Sequence, residues 1–213
     1  MTNLYPVYID LTDKKCLVIG GGKVAERKIC HLLDYGCSIM AVSPQAEKNI
    51  EQWADQELIE WYQREFQAQD IAGCFMVFVA TDDYQINEKV SRMCRERGVM
   101  VNAVDDPPNC DFYVPSIVRR SSLALAISTG GKSPAFARRL RSELEEIITP
   151  AYGEFVDIMG EQRELIKDKV KDIEIRKKIF EELVYSDILD LLKAGEKEKA
   201  KEKVKRCMSY WLD

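Results

Sequence analysis

Three consecutive glycines, Gly20, Gly21 and Gly22, follow the apolar run KCLVI at 15–19 and lead into Lys23-Val24-Ala25. The spacing is G-x-G-x-x-A between a predicted strand and a predicted helix. In that setting the first glycine permits a tight turn, and the glycine at the third position lets backbone approach a pyrophosphate. Ala25 lets helix and strand pack closely, and the helix start offers unpaired N–H groups and partial positive charge. A purely structural turn is the competing reading. The flanking strand and helix favour a dinucleotide site, with Gly20, Gly21, Gly22, Lys23 and Val24 on its phosphates.

The ribose is read about 20 residues further on, where an acid at the end of the second strand marks an NAD site. Ser43-Pro44-Gln45 stand there instead. Ser43 or Gln45 could bond a ribose hydroxyl, and backbone around Pro44 could line the adenosine. No Arg lies at 43–45 to favour a 2′-phosphate, although Lys48 is near. NAD is the expected cofactor on these grounds. Thr81 and Asp82, ending a fourth strand, and Asn102, in a fifth, face the same crevice and complete the expected cofactor set. Thr81-Asp82 also reads as a helix cap.

The elements that must hold these residues are legible from periodicity. Strands are predicted at 15–19, 37–42, 58–62, 74–80 and 99–104. Helices lie between them: one carries Val24, Ala25, Ile29, Leu32 and Leu33 and ends at Gly36, and another carries Ile86, Val90, Met93 and Cys94 and closes at Gly98. Ser43-Pro44 reads as an N-cap followed by Pro at the first helical position. This alternation predicts an α/β, Rossmann-type parallel sheet with helices on both faces. After Asp105 the pattern changes. The loop DDPPNCDFYVPS precedes two short strand candidates, SIVRR and LALAIS, joined at Ser121-Ser122. Ser133-Pro134 opens a helix with Phe136, Leu140, Leu144, Ile147 and Ile148 on one face, ended by Pro150. From 151 onward only charged amphipathic helices are predicted, with a break at Gly195. The expected divisions are 1–113, a nucleotide-binding domain; 114–149, a small α+β segment; and 150–213, an all-helical domain.

Composition bounds the rest. The 213 residues are 46% hydrophobic and 31% charged, which excludes disorder as the main state. A net charge of −5 argues against nucleic-acid binding, and no run of about 18 apolar residues spans a membrane. The N-terminus lacks the basic-then-apolar order of a signal peptide, so a cytoplasmic protein is expected. Seven scattered cysteines (Cys16, Cys30, Cys37, Cys74, Cys94, Cys110, Cys207) and a single His31 read as reduced core thiols and a structural histidine. No resident metal site is expected.

Four stretches together, GGGKVAERK at 20–28, ATDD at 80–83, VNAVDDPPNCDFYVPS at 101–116 and STGGKSPAFARRLR at 128–141, resemble the precorrin-2 dehydrogenase family of siroheme synthesis. The resemblance spans roughly residues 3–150, and the helical tail more loosely. It implies NAD-dependent oxidation of precorrin-2 to sirohydrochlorin by a homodimer, whose small α+β dimerisation segment would be 114–149, with insertion of a ferrous or cobalt ion in some members. It places the family's key acid on Asp105. A serine beside the active site of some members falls on Thr129, preceded by Ser128.

The residues fit such chemistry. Oxidising the macrocycle removes a hydride and a proton, so a proton acceptor is needed. Asp105 sits at a strand end, where Asp106, partial burial and the substrate's own carboxylates are expected to disfavour its charged form. A turn-forming Asp before Pro107-Pro108 is the competing reading. A polycarboxylate substrate needs cations, and Arg119, Arg120, Lys132, Arg138, Arg139 and Arg141 lie within one stretch that holds no acid. Arg138 and Arg141 share a helix face, so Ser128, Thr129, Gly130, Lys132, Arg138 and Arg141 form the expected substrate set. A solvated basic face or a subunit contact would use the same residues. A dinucleotide-sensing regulatory dimer and a chelatase without dehydrogenase activity are the alternative functions.

Overall fold

The computed structural model describes residues 4–212, which form two compact units dividing after Val114. In the first, five parallel strands run β1 (Lys15–Ile19), β2 (Ser38–Val42), β3 (Glu60–Tyr62), β4 (Met76–Val79) and β5 (Met100–Ala103). Their order across the sheet is β3-β2-β1-β4-β5. The helices are α1 (Lys23–Leu32), α2 (Lys48–Asp55) and α3 (Tyr84–Glu96).

The apolar runs become parallel strands because both faces of the sheet are covered. Side chains alternate between faces with a period of two. Leu17 and Ile19 therefore join Met40, Val42, Val77, Val79 and Val101 in one core, closed by Val90 and Cys94 of α3. Cys16 and Val18 join Ile39, Ala41, Met76 and Phe78 in the other, closed by Ala25 and Ile29 of α1 and Ile50 of α2. Chain direction across the sheet reverses at β1, whose neighbours are β2 on one side and β4 on the other. A crevice opens at the carboxyl ends of strands at such a switch point.

Two expected helix starts are displaced. α2 begins at Lys48 with Glu47 as N-cap, not at Ser43-Pro44. The Ser43 hydroxyl is occupied by the Trp61 indole, which donates to it at 3.1 Å, and the chain crosses the glycine turn before coiling. Glu47 N–H donates to Gly21 C=O at 2.8 Å and ties that crossing down. The cap of α3 is Asp83, not Thr81-Asp82; its carboxylate accepts from the N–H groups of Gln85 and Ile86.

The second unit opens with an antiparallel hairpin, β6 (Ser116–Arg120) and β7 (Leu123–Ile127). Helix α4 (Pro134–Ile147) follows, capped by Ser133 as its Ser-Pro pair predicts. Its buried residue is Ala137, while Phe136 and Ile147 of the expected apolar face are exposed. Then come α5 (Pro150–Lys169), α6 (Ile173–Val184), α7 (Ile188–Lys193) and α8 (Lys197–Leu212), with Gly195 between the last two. Ile166, Ile179, Leu183, Ile188, Leu192 and Val204 pack their core. α5 also packs on both strands of the hairpin, so Pro150 starts a helix of this unit.

All seven cysteines are free, and four of them, Cys16, Cys74, Cys94 and Cys207, are buried. Burial pushes the Cys94 thiol up to about 12. Cys30, expected among the core thiols, is instead exposed on α1. Among the described residues no helix is long and apolar enough to cross a membrane, and no cluster of His, Cys, Asp and Glu could hold a metal ion.

Candidate functional site

The glycine turn is shaped by three close approaches. Gly20 has φ +120°, and a Cβ there would come within 2.3 Å of Ala80 C=O at the end of β4. A Cβ on Gly21 would lie 1.9 Å from Gln45 C=O and 2.6 Å from Ser43 Oγ. Only glycine therefore lets the three strand ends β1, β2 and β4 converge. Gly22 is different: a Cβ there would meet nothing within 4 Å. It is the N-cap of α1 and supplies no side-chain cap, so the first N–H groups of the helix are left to an outside acceptor.

That acceptor would sit in a cleft of about 760 Å³. Gly20, Gly21, Gly22, Lys23 and Val24 form one wall, Ser43, Pro44 and Gln45 a second, and Thr81 and Asp82 a third. The size suits a small organic ligand. A free backbone cradle beside the helix N-terminus suits a pyrophosphate, so these residues fit a dinucleotide. Thr81 is held by donating to Asn87 Oδ1 at 2.8 Å, which fixes the third wall. Ser43 is 4% exposed, and its oxygen accepts from Trp61 while its own proton remains to donate. Glu65, Phe66 and Lys89 also line the cleft. Periodicity does not single them out because Glu65 and Phe66 follow the short third strand and Lys89 is an exposed charge within α3.

Asn102 does not line this cleft. It is buried, and its amide donates to Phe112 C=O at 2.9 Å. This bond folds the loop after β5 back onto the strand. Cys110 Sγ donates to Ala103 C=O at 3.0 Å, and Asn109 Nδ2 donates to the buried Asp106 at 2.8 Å. Arg95 of α3 clasps the same loop through Pro108 C=O and Asp111. The clamped loop presents Asp105 at its tip with φ +58°, a left-handed conformation that Asp and Asn tolerate better than most residues. The expected partial burial of Asp105 is not found: the residue is exposed, and it is Asp106 that is buried.

The expected substrate residues belong to the second unit. Gly130 and Gly131 have φ of +61° and +79° and form a turn between β7 and α4. Ser128 Oγ accepts from Gly130 N–H at 3.2 Å, and Thr129 Oγ1 accepts from Ser133 N–H at 3.1 Å. Lys132, Arg138 and Arg141 are exposed. Arg139 pairs with Glu143 at 2.7 Å and Arg141 with Glu145 at 3.7 Å. Acids just beyond the basic stretch thus engage two of its arginines, whereas Arg138 has no carboxylate partner among the described residues.

A family model described as "Putative NAD(P)-binding" matches residues 7–116. Two further models follow it: "Sirohaem biosynthesis protein central" at 120–147 and "Sirohaem synthase dimerisation region" at 151–208. The siroheme synthase of Nitrosococcus oceani is 37% identical over 195 residues, covering 92% of this chain and 42% of that protein. That of Thioalkalivibrio sulfidiphilus is 36% identical over 211 residues, covering 99% and 43%. The chain thus spans about two fifths of the length of these relatives. The solved structure of SirC, precorrin-2 dehydrogenase, superposes with a TM-score of 0.77 at 24% identity, covering 95% of this chain and all of that one; the likeness is one of fold. With the first model covering more than half of its residues, and the two sirohaem models matching in order behind it, the chain belongs to the family of that first model, described as putative NAD(P)-binding.

Proposed function

We propose that the protein is an NAD-dependent dehydrogenase that oxidises precorrin-2 to sirohydrochlorin, acting as a homodimer. The observation that carries this reading is the pairing of an open glycine cradle after β1 with a carboxylate fixed two strands away, after β5. Gly22 leaves room against the start of α1, and the clamped loop holds Asp105 at the end of β5.

When bound, NAD supplies the hydride acceptor. Backbone N–H groups at Gly22–Val24 hold its pyrophosphate, and Ser43 and Gln45 take the ribose of its adenosine half. The lack of an arginine at 43–45 supports NAD over NADP. Asp105 takes the proton released from the macrocycle, and its loop is tied back to β5 through the Asn102–Phe112 and Cys110–Ala103 hydrogen bonds. Ser128, Thr129, Gly130, Lys132, Arg138 and Arg141 bind the ring's carboxylates. Guanidinium forks and the turn's N–H groups are the chemistry those groups require.

Metal insertion is a second activity of the same reading. Ferrous or cobalt ion is then a substrate, and Asp105 is the base that strips the pyrrole protons. Incubating the pure protein with precorrin-2 and NAD should yield reduced nicotinamide and the sirohydrochlorin spectrum in equal amounts. Added ferrous ion then tests insertion. Asp105→Asn keeps a residue that tolerates the left-handed turn, so it should fold and bind NAD normally while turnover falls by about a hundredfold or more. NAD binding without turnover in the unmutated protein would favour a dinucleotide sensor. Metal insertion without NAD would favour a chelatase.

A further inference from the structure

The acid that marks an NAD site at the end of the second strand is absent from Ser43-Pro44-Gln45, but a neighbouring strand delivers a carboxylate to the same wall. Among the described residues two acids line the cleft, Glu65 and Asp82. Asp82 follows β4, on the far side of β1 from β2. Glu65 follows β3, whose last residue, Tyr62, pairs with Val42 at the end of β2. Just beyond that rung Ser43 N–H donates to Tyr62 C=O at 3.3 Å. Arg64 N–H donates to the same carbonyl at 2.8 Å, so the chain turns sharply there, and Glu65 and Phe66 join Ser43 and Pro44 in the cleft wall.

The side chain of Arg64 holds this turn in place. Its guanidinium grips both oxygens of Asp70, at 2.7 and 2.8 Å, and donates to Glu65 C=O at 3.0 Å. Gln67 N–H donates to the same carboxylate at 2.8 Å, and Phe66 packs on the core beneath α3. Two consequences follow for a nucleotide. The one arginine beside the β2 wall is committed to a carboxylate side chain only 4% exposed, so it is not offered to a 2′-phosphate. The cleft's two lysines, Lys23 and Lys89, stand on α1 and α3, away from β3. The Glu65 side chain is exposed, and among the described residues it takes part in no hydrogen bond or ion pair; only its carbonyl is engaged. A free carboxylate in a cleft for an anionic dinucleotide weakens binding unless it accepts a hydrogen bond from the ligand. At the end of β2 the donor it meets is a hydroxyl of the adenosine ribose.

We propose that Glu65 supplies the carboxylate missing from the end of β2: it accepts from the 2′-hydroxyl of the adenosine ribose, and so admits NAD and repels the 2′-phosphate of NADP. Arg64 and Asp70 are its positioning residues. The proposal rests on the dinucleotide reading of the cleft and adds the residue that chooses between the two cofactors.

Calorimetric titration of the whole chain with NAD, with NADP and with an NAD analogue lacking the adenosine 2′-hydroxyl tests this without turnover. The unmutated protein should bind NAD about a hundredfold more tightly than NADP. Glu65→Gln removes the charge from an exposed side chain, so the melting temperature should hold while that preference falls by about tenfold or more. Glu60→Gln, which takes one charge from the start of β3, should leave the preference unchanged. Loss of the 2′-hydroxyl should weaken binding to the unmutated protein by about tenfold, and to Glu65→Ala by about threefold or less. No preference for NAD in the unmutated protein, or a preference that Glu65→Gln does not move, overturns the proposal. Equal losses on removing the 2′-hydroxyl from the ligand of the unmutated and Glu65→Ala proteins also overturn it, and would place Glu65 on the amine of the base or in solvent. In each of these cases NAD still binds and the dinucleotide reading stands. An unmutated protein that binds neither NAD nor NADP overturns both.

Discussion

The three glycines of the turn make separable demands, and a pair of alanine variants exposes the difference. At Gly21 an added methyl would stand 1.9 Å from Gln45 C=O and 2.6 Å from Ser43 Oγ, and both are held, Ser43 by Trp61 and the neighbouring backbone by the Glu47-to-Gly21 bond. The second wall of the cleft must retreat by about 1 Å or more to reach ordinary contact, and overpacking of that kind costs about 1–3 kcal/mol. For a chain of this size that is a melting temperature lower by roughly 3–10 °C. At Gly22 nothing lies within 4 Å of the added methyl, and its φ of −80° suits alanine. Stability should change by less than about 1 kcal/mol, mostly through the poorer N-cap. The methyl would nevertheless occupy the space a pyrophosphate needs, so NAD should bind about tenfold to a hundredfold more weakly. Melting curves and calorimetric titration with NAD read the two effects independently. If Gly22→Ala folds and binds NAD as the parent does, the nucleotide does not lie on this turn, and the cofactor assignment fails with it. If Gly21→Ala melts unchanged, the steric argument for the converging strand ends is wrong.

Two further predictions concern charge. Arg138→Ala combined with Arg141→Ala should weaken sirohydrochlorin binding by about tenfold or more and reduce its salt dependence, with NAD affinity untouched. Arg138, which has no competing carboxylate, should account for the larger share, and equal losses for both ligands would refute the assignment. Asp70→Asn removes the charge and one of the two acceptor oxygens that take a two-pronged Arg64 contact at 2.7 and 2.8 Å and the Gln67 N–H, on a carboxylate side chain only 4% exposed. The cost should be about 2 kcal/mol, discounted because Arg64 is partly open to water. The Arg64 hydrogen bonds, against the opposing effect of burial, hold the Asp70 carboxyl below its usual range. Its folded value lies under its unfolded value, so the contribution is complete above about pH 4 and is lost as pH falls through the folded value. The stability gap between parent and variant should therefore close below about pH 4, and a gap constant into stronger acid would refute the linkage.

Much of the first unit was legible because its signals are local. Runs such as CFMVFVA carry both faces of a strand in adjacent residues, and in the structure alternate members enter the two cores on either side of the sheet. The hairpin at Ser116–Ile127 and the Ser133 cap were equally local. The apolar face of α4 departs from its periodicity because periodicity ranks positions by side-chain type, while in the structure the small Ala137 is buried and Phe136 is exposed. The α2 start departs from its local cap signal for a related reason. Ser-Pro is a good cap in isolation, but Trp61, distant in sequence, claims the hydroxyl first.

The site divides along the same line. Residues whose duty is to their own neighbourhood, the glycine turn above all, are visible as spacing. Those whose duty is to a distant segment are not. Asn102 looks like a cofactor ligand because it sits at a strand end, yet its amide serves Phe112. Gly21 looks like the freely variable x of G-x-G-x-x-A, yet Gln45 makes it the most crowded of the three glycines. Lys28 looks like one of many helix charges until β4 places an aromatic ring against its ammonium. For Gly21 the strand order β2-β1-β4 creates the demand, since it brings the end of β2 to the glycine turn; for Asn102 the loop that folds back on β5 creates it. A substitution at one of these positions should therefore act through the partner segment, which is why a variant that removes the partner is the more discriminating probe.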